Sequence, residues 1–233
     1  MKLIIKDGIY SRNSPKNTID SIMFVLNNPN VDGISITIQM TQDGILVVYP
    51  DNTIMCKNIN KILYKQLLKY NIGTRIKKQS ILKLEEVLKI MNGTNKKLLI
   101  ELVNCDNNLR LVESIIELTS RYPNIDIYLN ACVKENVLYL KEIANSCRIG
   151  ATIIDSSDYF WNLDLDFYII DRYDVDLNYI NDTLNNNQII MYKNMDTPNQ
   201  LEFIENNFQK YIDNIYIITN YHSKISKYLN NIM

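Results

Sequence analysis

Short apolar runs rich in Ile, Leu and Val recur along the chain, separated by longer stretches in which apolar residues return at helical spacing. That pattern predicts strands alternating with helices around a parallel sheet. Eight runs read as strands: LIIK near residue 3, GISITIQM near 35, LLIELV near 100, IDIYLN near 127, RIGATII near 150, FYIID near 169, QIIMYK near 190 and NIYIIT near 216. A helical stretch follows each, the weakest of them after residue 155. Pro15 is placed to open a helix from about Lys16 to Asn27, with Ile19, Ile22, Met23 and Leu26 on one face. KLEEVLKIMNG sets Leu84, Val87, Leu88 and Met91 on one stripe and ends at Gly93, a C-terminal cap.

Eight strand-then-helix units in 233 residues predict an α/β TIM (β/α)8 barrel, expected as one domain over residues 1–233. An open doubly wound sheet fits less well, because no Gly-rich phosphate loop follows the first strand. In a barrel, functional groups stand at the C-terminal ends of the strands. The second strand then matters most: Ile34, Ile36, Ile38 and Met40 alternate with Ser35, Thr37, Gln39 and Thr41, so one face is apolar and the other carries uncharged polar groups.

Composition narrows the setting. A hydrophobic content of 46% supports a packed core, and a formal charge of -1 gives no field that would gather nucleic acid. The start, MKLIIKDGIY, is too short in its apolar run for a signal peptide, and no run approaches the ~18 apolar residues of a membrane span. A soluble, cytoplasmic protein is expected. Cys56, Cys105, Cys132 and Cys147 form no CxxC pair, which predicts reduced, mostly buried thiols in place of disulfides or a zinc knuckle.

Several separate stretches, in order along the whole chain, resemble the glycerophosphodiester phosphodiesterase family. SPKNTIDSI is similar to its PENT segment, MTQDGILVVYPDNTI to LTKDGVPVVFHDETL, ILKLEEVL to IPTLEEVL, and LLIELV to LNIEIK. Further on, ACVKENVLYLKEI resembles the start of its fourth helix, and IYIITNYH its closing GIITDYP. The resemblance implies the barrel and a metal-assisted hydrolysis of glycerophosphodiesters to glycerol phosphate and an alcohol. The family relies on an HR pair after strand one, a Glu and an Asp in strand two, the His of an HD after the hairpin, and a Glu with a nearby Lys in strand three. Hard oxygen ligands hold the divalent cation, and two imidazoles serve as general base and acid.

Carried over by position, most of these groups are missing. The first pair falls on Lys6 and Asp7, or on Asp7 and Gly8; the strand-two acids fall on Ser35 and Thr37; the second His falls on Pro50, followed by a retained Asp51. Glu101 is kept, and the lysine after it is Val103. Losing two positioned imidazoles removes about 5 kcal/mol or more of transition-state stabilisation. Glu101 alone is a poor site for Mg²⁺ or Ca²⁺. The expectation is a catalytically impaired relative, a pseudoenzyme of lipid metabolism, that needs no cofactor and binds a small phosphorylated or polyol ligand or a partner. One alternative is an active phosphoric diester hydrolase rebuilt from Asp7, Asp51, Glu101, Asp171 and Lys193, with Mg²⁺ or Ca²⁺; another is a scaffold without ligand.

Four other features bear on the site and on partners. His222, the only histidine, follows the eighth strand and reads as a surface or helix-cap residue. Asn194 matches the Asn of the family's WTVN and Asn220 stands at its usual Asp, while Met191 replaces the tryptophan. Lys57, Lys61, Lys65 and Lys69 recur every four residues, which predicts one cationic helix face opposite Ile59, Leu63 and Leu67, a candidate contact for an anionic surface. From Asp155 to Asp182, eight aspartates meet one arginine, Arg172, and read as caps and helix starts; opposed basic and acidic faces would also permit self-association.

Overall fold

The computed structural model describes residues 1–8, 15–102, 109–144, 146–171 and 175–230. Its strands are β1 (Lys2–Lys6), β2 (Gly33–Met40), β3 (Leu46–Val48), the two-residue β4 (Thr53–Ile54) and β5 (Lys57–Asn58), β6 (Lys97–Leu102), β7 (Ile127–Ala131), β8 (Arg148–Ile153), β9 (Phe167–Ile170), β10 (Ile189–Lys193) and β11 (Ile215–Thr219). Eight of them run parallel in the order β1-β11-β10-β9-β8-β7-β6-β2, and β1 pairs back on β2 to close a TIM barrel. Strand β3 folds back antiparallel on the end of β2, and β4 with β5 forms a separate hairpin. The eight predicted strands are these eight, with ends that differ by a residue or two.

The period of two in each strand explains the closure. Leu3, Ile5, Ile34, Ile36, Leu98 and Ile100 point outward into the main core under the helices. Ile4, Leu99, Tyr128, Phe167, Ile169, Met191 and Ile218, on the opposite parity, fill the barrel interior. Gly150 makes room there, since a Cβ at this position would lie 2.4 Å from the Phe167 ring. Continuing the inward parity by two residues brings each strand to the C-terminal mouth.

The helices are α1 (Ile19–Leu26), α2 (Tyr64–Leu67), α3 (Leu84–Met91), α4 (Leu109–Thr119), α5 (Lys134–Ile143), α6 (Leu177–Asn185), α7 (Pro198–Phe208) and α8 (His222–Asn230). As the sequence predicts, α3 buries Leu84, Val87, Leu88 and Met91 and is followed by Gly93 at φ 86°. The weak stretch after 155 makes only a 3-10 turn, Tyr159–Asn162. Asp158 and Asp176 cap the turn and α6 through backbone N–H groups, in keeping with their reading as caps. Arg172 and Cys105 lie outside the described residues. Among the described residues no helix is long and apolar enough to cross a membrane.

Three expectations need correction. Helix α1 starts at Ile19 and not near Lys16, because Asn17 takes a left-handed φ of 58° and Thr18 with Ser21 forms a reciprocal capping box. Its buried face is Ser21, Ile22 and Val25, which leaves Ile19 and Met23 about 40% exposed. The lysine-rich segment is not one helix. Met55 and Cys56 turn at φ 47° and 61° between β4 and β5, a 3-10 turn spans Ile59–Lys61, and α2 has four residues. Ile59 and Leu67 are buried in a small core with Val47, and Lys57, Lys61, Lys65 and Lys69 are exposed on different elements. Cys56 is free and exposed, not buried, because it sits in the hairpin turn just past β4; Cys132, at the rim after β7, is exposed as a residue, while its thiol is partly buried against the Leu102 carbonyl and burial pushes its pKa up.

Candidate functional site

At the mouth, inward parity places Lys6, Ser35, Thr37, Glu101, Asn130, Thr152 and Lys193 on neighbouring strands. Lys6 stands opposite Ser35 in the β1–β2 register, Thr37 opposite Glu101 between β2 and β6, and Glu101 opposite Asn130 between β6 and β7. Glu101 is the centre of the group. Ser35 Oγ donates to Glu101 Oε1 at 2.5 Å, and the Lys193 ammonium, reaching across from β10, donates to Oε2. Glu101 is buried, its side chain 2% exposed, while the Lys193 side chain stays 11% exposed at the mouth. Asn130 Nδ2 donates to Thr152 Oγ1 at 2.9 Å on the next strand.

Asp7 follows β1 in a left-handed turn with Gly8, at φ 58° and 73°. Its amide donates to the Ser35 carbonyl at 2.8 Å, and its carbonyl accepts from the Asn17 amide at 2.7 Å. These two bonds fix the carboxyl at the rim, with Lys16 Nζ 3.7 Å from Oδ2 and Asn17 Nδ2 3.5 Å from Oδ1. Lys16 also donates to Asn220 Oδ1, which links the loop after β1 to the end of β11. Asn194 donates to the exposed Asp171 at the ends of β9 and β10.

The charges of this group depend on one another. Burial raises the Asp7 carboxyl above the usual carboxylate range and Glu101 adds to that, against the opposing pull of Lys16 and Lys6. For Lys193, burial works to lower the ammonium, but the Glu101 carboxylate outweighs it and the group is held above the usual lysine range. His222 begins α8, with its ring edge-on to Phe24 at 5.2 Å, and burial lowers its pKa. It is the first residue of α8 and half-buried, with no described hydrogen bond that caps the helix.

Of the sequence candidates, Asp7, Ser35, Thr37, Glu101 and Lys193 come together. Asp51 does not: it is exposed beyond β3 and has no described bond to the Glu101 group. Pro50 helps line a side cavity of about 280 Å³ with Lys16, Asn17, Tyr49 and Tyr70. Met191 is buried in the barrel floor, so no aromatic ring rises from that position. Val103 lies outside the described residues; the lysine that meets Glu101 comes from β10. Sequence reasoning passed over Lys16, Asn130 and Thr152, although the parity that aims Tyr128 and Gly150 inward also aims Asn130 and Thr152. A roomier cavity of about 510 Å³ opens at the opposite end of the barrel, beside Met1, Glu205 and Asp213, away from the strand ends where this chemistry gathers.

The divalent cation implied by the resemblance does not fit these donors. Mg²⁺ and Ca²⁺ require several hard oxygens and favour carboxylates. At the family's positions the chain offers two neutral hydroxyls and Glu101, whose two oxygens are already taken by Ser35 and Lys193. Among the described residues no three His, Cys, Asp or Glu side chains gather as a metal site. What the arrangement offers chemically is an ammonium, hydroxyls and amides as hydrogen-bond donors, with one protonatable carboxyl at the rim.

No family model matches the sequence, and no curated protein matches it. Solved structures do. A phosphodiesterase from Oleispira antarctica in complex with the product sn-glycerol-3-phosphate superposes with a TM-score of 0.85 at 15% identity, over 99% of this chain and 97% of that one. A glycerophosphodiester phosphodiesterase from Agrobacterium tumefaciens gives 0.76 at 18%, over 97% and 99%, and one from Parabacteroides distasonis 0.77 at 17%, over 100% and 98%. At these identities the likeness shows the fold. The chain has the barrel of the glycerophosphodiester phosphodiesterases, as the sequence resemblance implied.

Proposed function

We propose that this chain, as one barrel domain over residues 1–233, is a glycerophosphodiester phosphodiesterase-like protein that binds a small phosphorylated or polyol ligand at the barrel mouth and does not run the family's hydrolysis. The observation that carries this reading is Glu101: both of its oxygens are engaged, by Ser35 and Lys193, where a hydrolase of this kind needs them free for a cation. No imidazole stands at Asp7 or Pro50 to move protons. The hydroxyls of Ser35 and Thr37, the amide of Asn130 and the ammonium of Lys193 form a polar lining suited to phosphate and hydroxyl groups. The glycerol-3-phosphate complex of the Oleispira protein supports a phosphorylated ligand by analogy of fold. A cytoplasmic setting accords with the free Cys56, Cys132 and Cys147.

One observation favours the alternative of a rebuilt hydrolase. Asp7 is a buried carboxyl at the rim that burial raises above the usual carboxylate range, the direction in which a general acid is tuned. A single assay decides between the two. The protein is incubated with glycerophosphocholine and with an aryl phosphodiester over Mg²⁺, Ca²⁺ and Mn²⁺, beside Glu101→Gln and Asp7→Asn. No turnover, together with a rise in melting temperature on adding glycerol phosphate, is the expected result. Turnover that either substitution abolishes would overturn the inactive reading, and the absence of any ligand shift would leave the scaffold.

A further inference from the structure

The mouth holds a cation of its own. Lys193 meets Glu101 where the donor set for a divalent metal has been reduced to one carboxylate, and Ser35 takes the remaining oxygen. Lys6 adds a second positive group: it continues the inward row of Ile4, faces Ser35 in register, and makes no direct ion pair among the described residues, although its charge acts on the Asp7 carboxyl at the rim. Thr37, opposite Glu101, is 6% exposed, and its hydroxyl makes no hydrogen bond among the described residues. The groups therefore follow one another around the rim as Lys6, Ser35, Glu101 and Lys193, with Thr37 above Ser35.

We propose that Lys193 and Lys6 do the electrostatic work of a divalent cation in this mouth, so that a phosphate monoester is bound by the two ammonium groups and the Thr37 hydroxyl without metal. This deepens the ligand-binding reading above and rests on it. An ammonium has three donors, and Lys193 commits one to Glu101. Two lysines supply the two positive charges that a monoester dianion requires. The bond to Glu101 aims the lysine and holds it charged, as a carboxylate ligand would hold a metal. A metal ion could enter only by displacing Lys193 from Glu101, which would strand a buried ammonium without its partner.

The test is calorimetric titration of the intact chain with inorganic phosphate, sn-glycerol 3-phosphate and glycerol, first in EDTA and then with Mg²⁺ or Ca²⁺. Both phosphates are expected to bind with the same dissociation constant in the two buffers. Lys193→Gln is expected to weaken them about tenfold or more, the loss of one charge-assisted hydrogen bond, with Lys193→Arg retaining part of the affinity. Lys6→Gln breaks no direct ion pair and removes only a longer-range charge from Asp7, so its fold, checked by thermal melting, is expected to hold; it is expected to weaken phosphate as well. Binding that appears only with metal, or that neither lysine substitution changes, overturns this inference while the ligand-binding reading stands. Glycerol binding without phosphate binding does the same. If none of the three binds in either buffer, both readings fall.

Discussion

Ser35 and Glu101 share a 2.5 Å hydrogen bond across the seam between β2 and β6, and it leaves the Glu101 carboxylate with one oxygen, which Lys193 takes. The three side chains act as one buried unit, so their substitutions should not be additive. Glu101→Gln leaves the Lys193 ammonium without the carboxylate it is bonded to, with only Asp171 acting on it from the rim, and is expected to destabilise the protein by about 3–5 kcal/mol. Ser35→Ala removes one bond to a charged group, about 1.5–3 kcal/mol. The double variant Glu101→Gln with Lys193→Gln should lose less than the sum of its single substitutions. Urea unfolding of the parent and these variants measures each loss, and additive losses would contradict a coupled pair.

Asp7 gives a pH signature. Its folded-state carboxyl lies above the unfolded value of 3.8, for which burial is the main cause. A raised carboxyl favours the folded state while protonated, so its contribution is present below the unfolded pKa and is lost as pH rises through the folded one. Asparagine tolerates the left-handed backbone at this position and carries no charge. The stability difference between Asp7→Asn and the parent should therefore grow in favour of the variant as pH climbs from below 3.8 toward neutrality, then level off. Unfolding curves across that range read the difference directly, and a flat difference would show that Asp7 titrates normally.

His222 titrates in the opposite sense. Burial against Phe24 lowers its pKa below 6.5, so the folded state prefers the neutral ring. The stability this contributes is present above the unfolded pKa and declines as pH falls through the folded one. His222→Gln should remove that decline below pH 6.5, which thermal melts of both proteins at matched ionic strength would reveal. An identical pH dependence in the two would place the ring in water.

Most of the barrel is legible in the sequence because a two-residue alternation survives in every strand: Ile34, Ile36 and Ile38 on one parity and Ser35 and Thr37 on the other define both faces of β2. The mouth is less legible. That Glu101 meets Lys193 depends on β6 and β10, which are not adjacent in the sheet, and no local pattern encodes a contact across the barrel. The lysine helix fails for a related reason. A spacing of four residues is a helical signal only if the backbone stays helical, and the left-handed turn at Met55 and Cys56 and the break after Lys61 divide that segment. In α1 the apolar residues surround the helix on most sides, so the cap at Thr18 and the contact surface, more than periodicity, decide that Ile22 and Val25 are buried while Met23 is not.

Gly150 tests the packing of the interior. It faces Phe167 so closely that a methyl group would overlap the ring at 2.4 to 2.5 Å, and Phe167 is itself fully buried in the barrel. Gly150→Ala should overpack this layer and destabilise the protein by about 1–3 kcal/mol. Adding Phe167→Leu should recover part of the loss by making room. A chemical unfolding midpoint unchanged by Gly150→Ala would mean that the ring has space to move aside.

Asn136 should prove a site where stability can be gained. It lies in the first half of α5, fully buried, and both its amide nitrogen and its carbonyl oxygen have no hydrogen-bond partner among the described residues. An unsatisfied buried polar group costs about 1–3 kcal/mol, and asparagine is also a weaker helix former than alanine by roughly half a kcal/mol. Asn136→Ala removes both penalties and gives up only the packing of a small side chain. The expected outcome is a net gain of about 1 kcal/mol, seen as a higher urea midpoint with an unchanged slope. Because α5 packs on β7 and β8 from outside the barrel, phosphate affinity at the mouth should stay the same. A loss of stability on this substitution would instead identify Asn136 as hydrogen-bonded in solution, by an ordered water between α5 and the barrel wall.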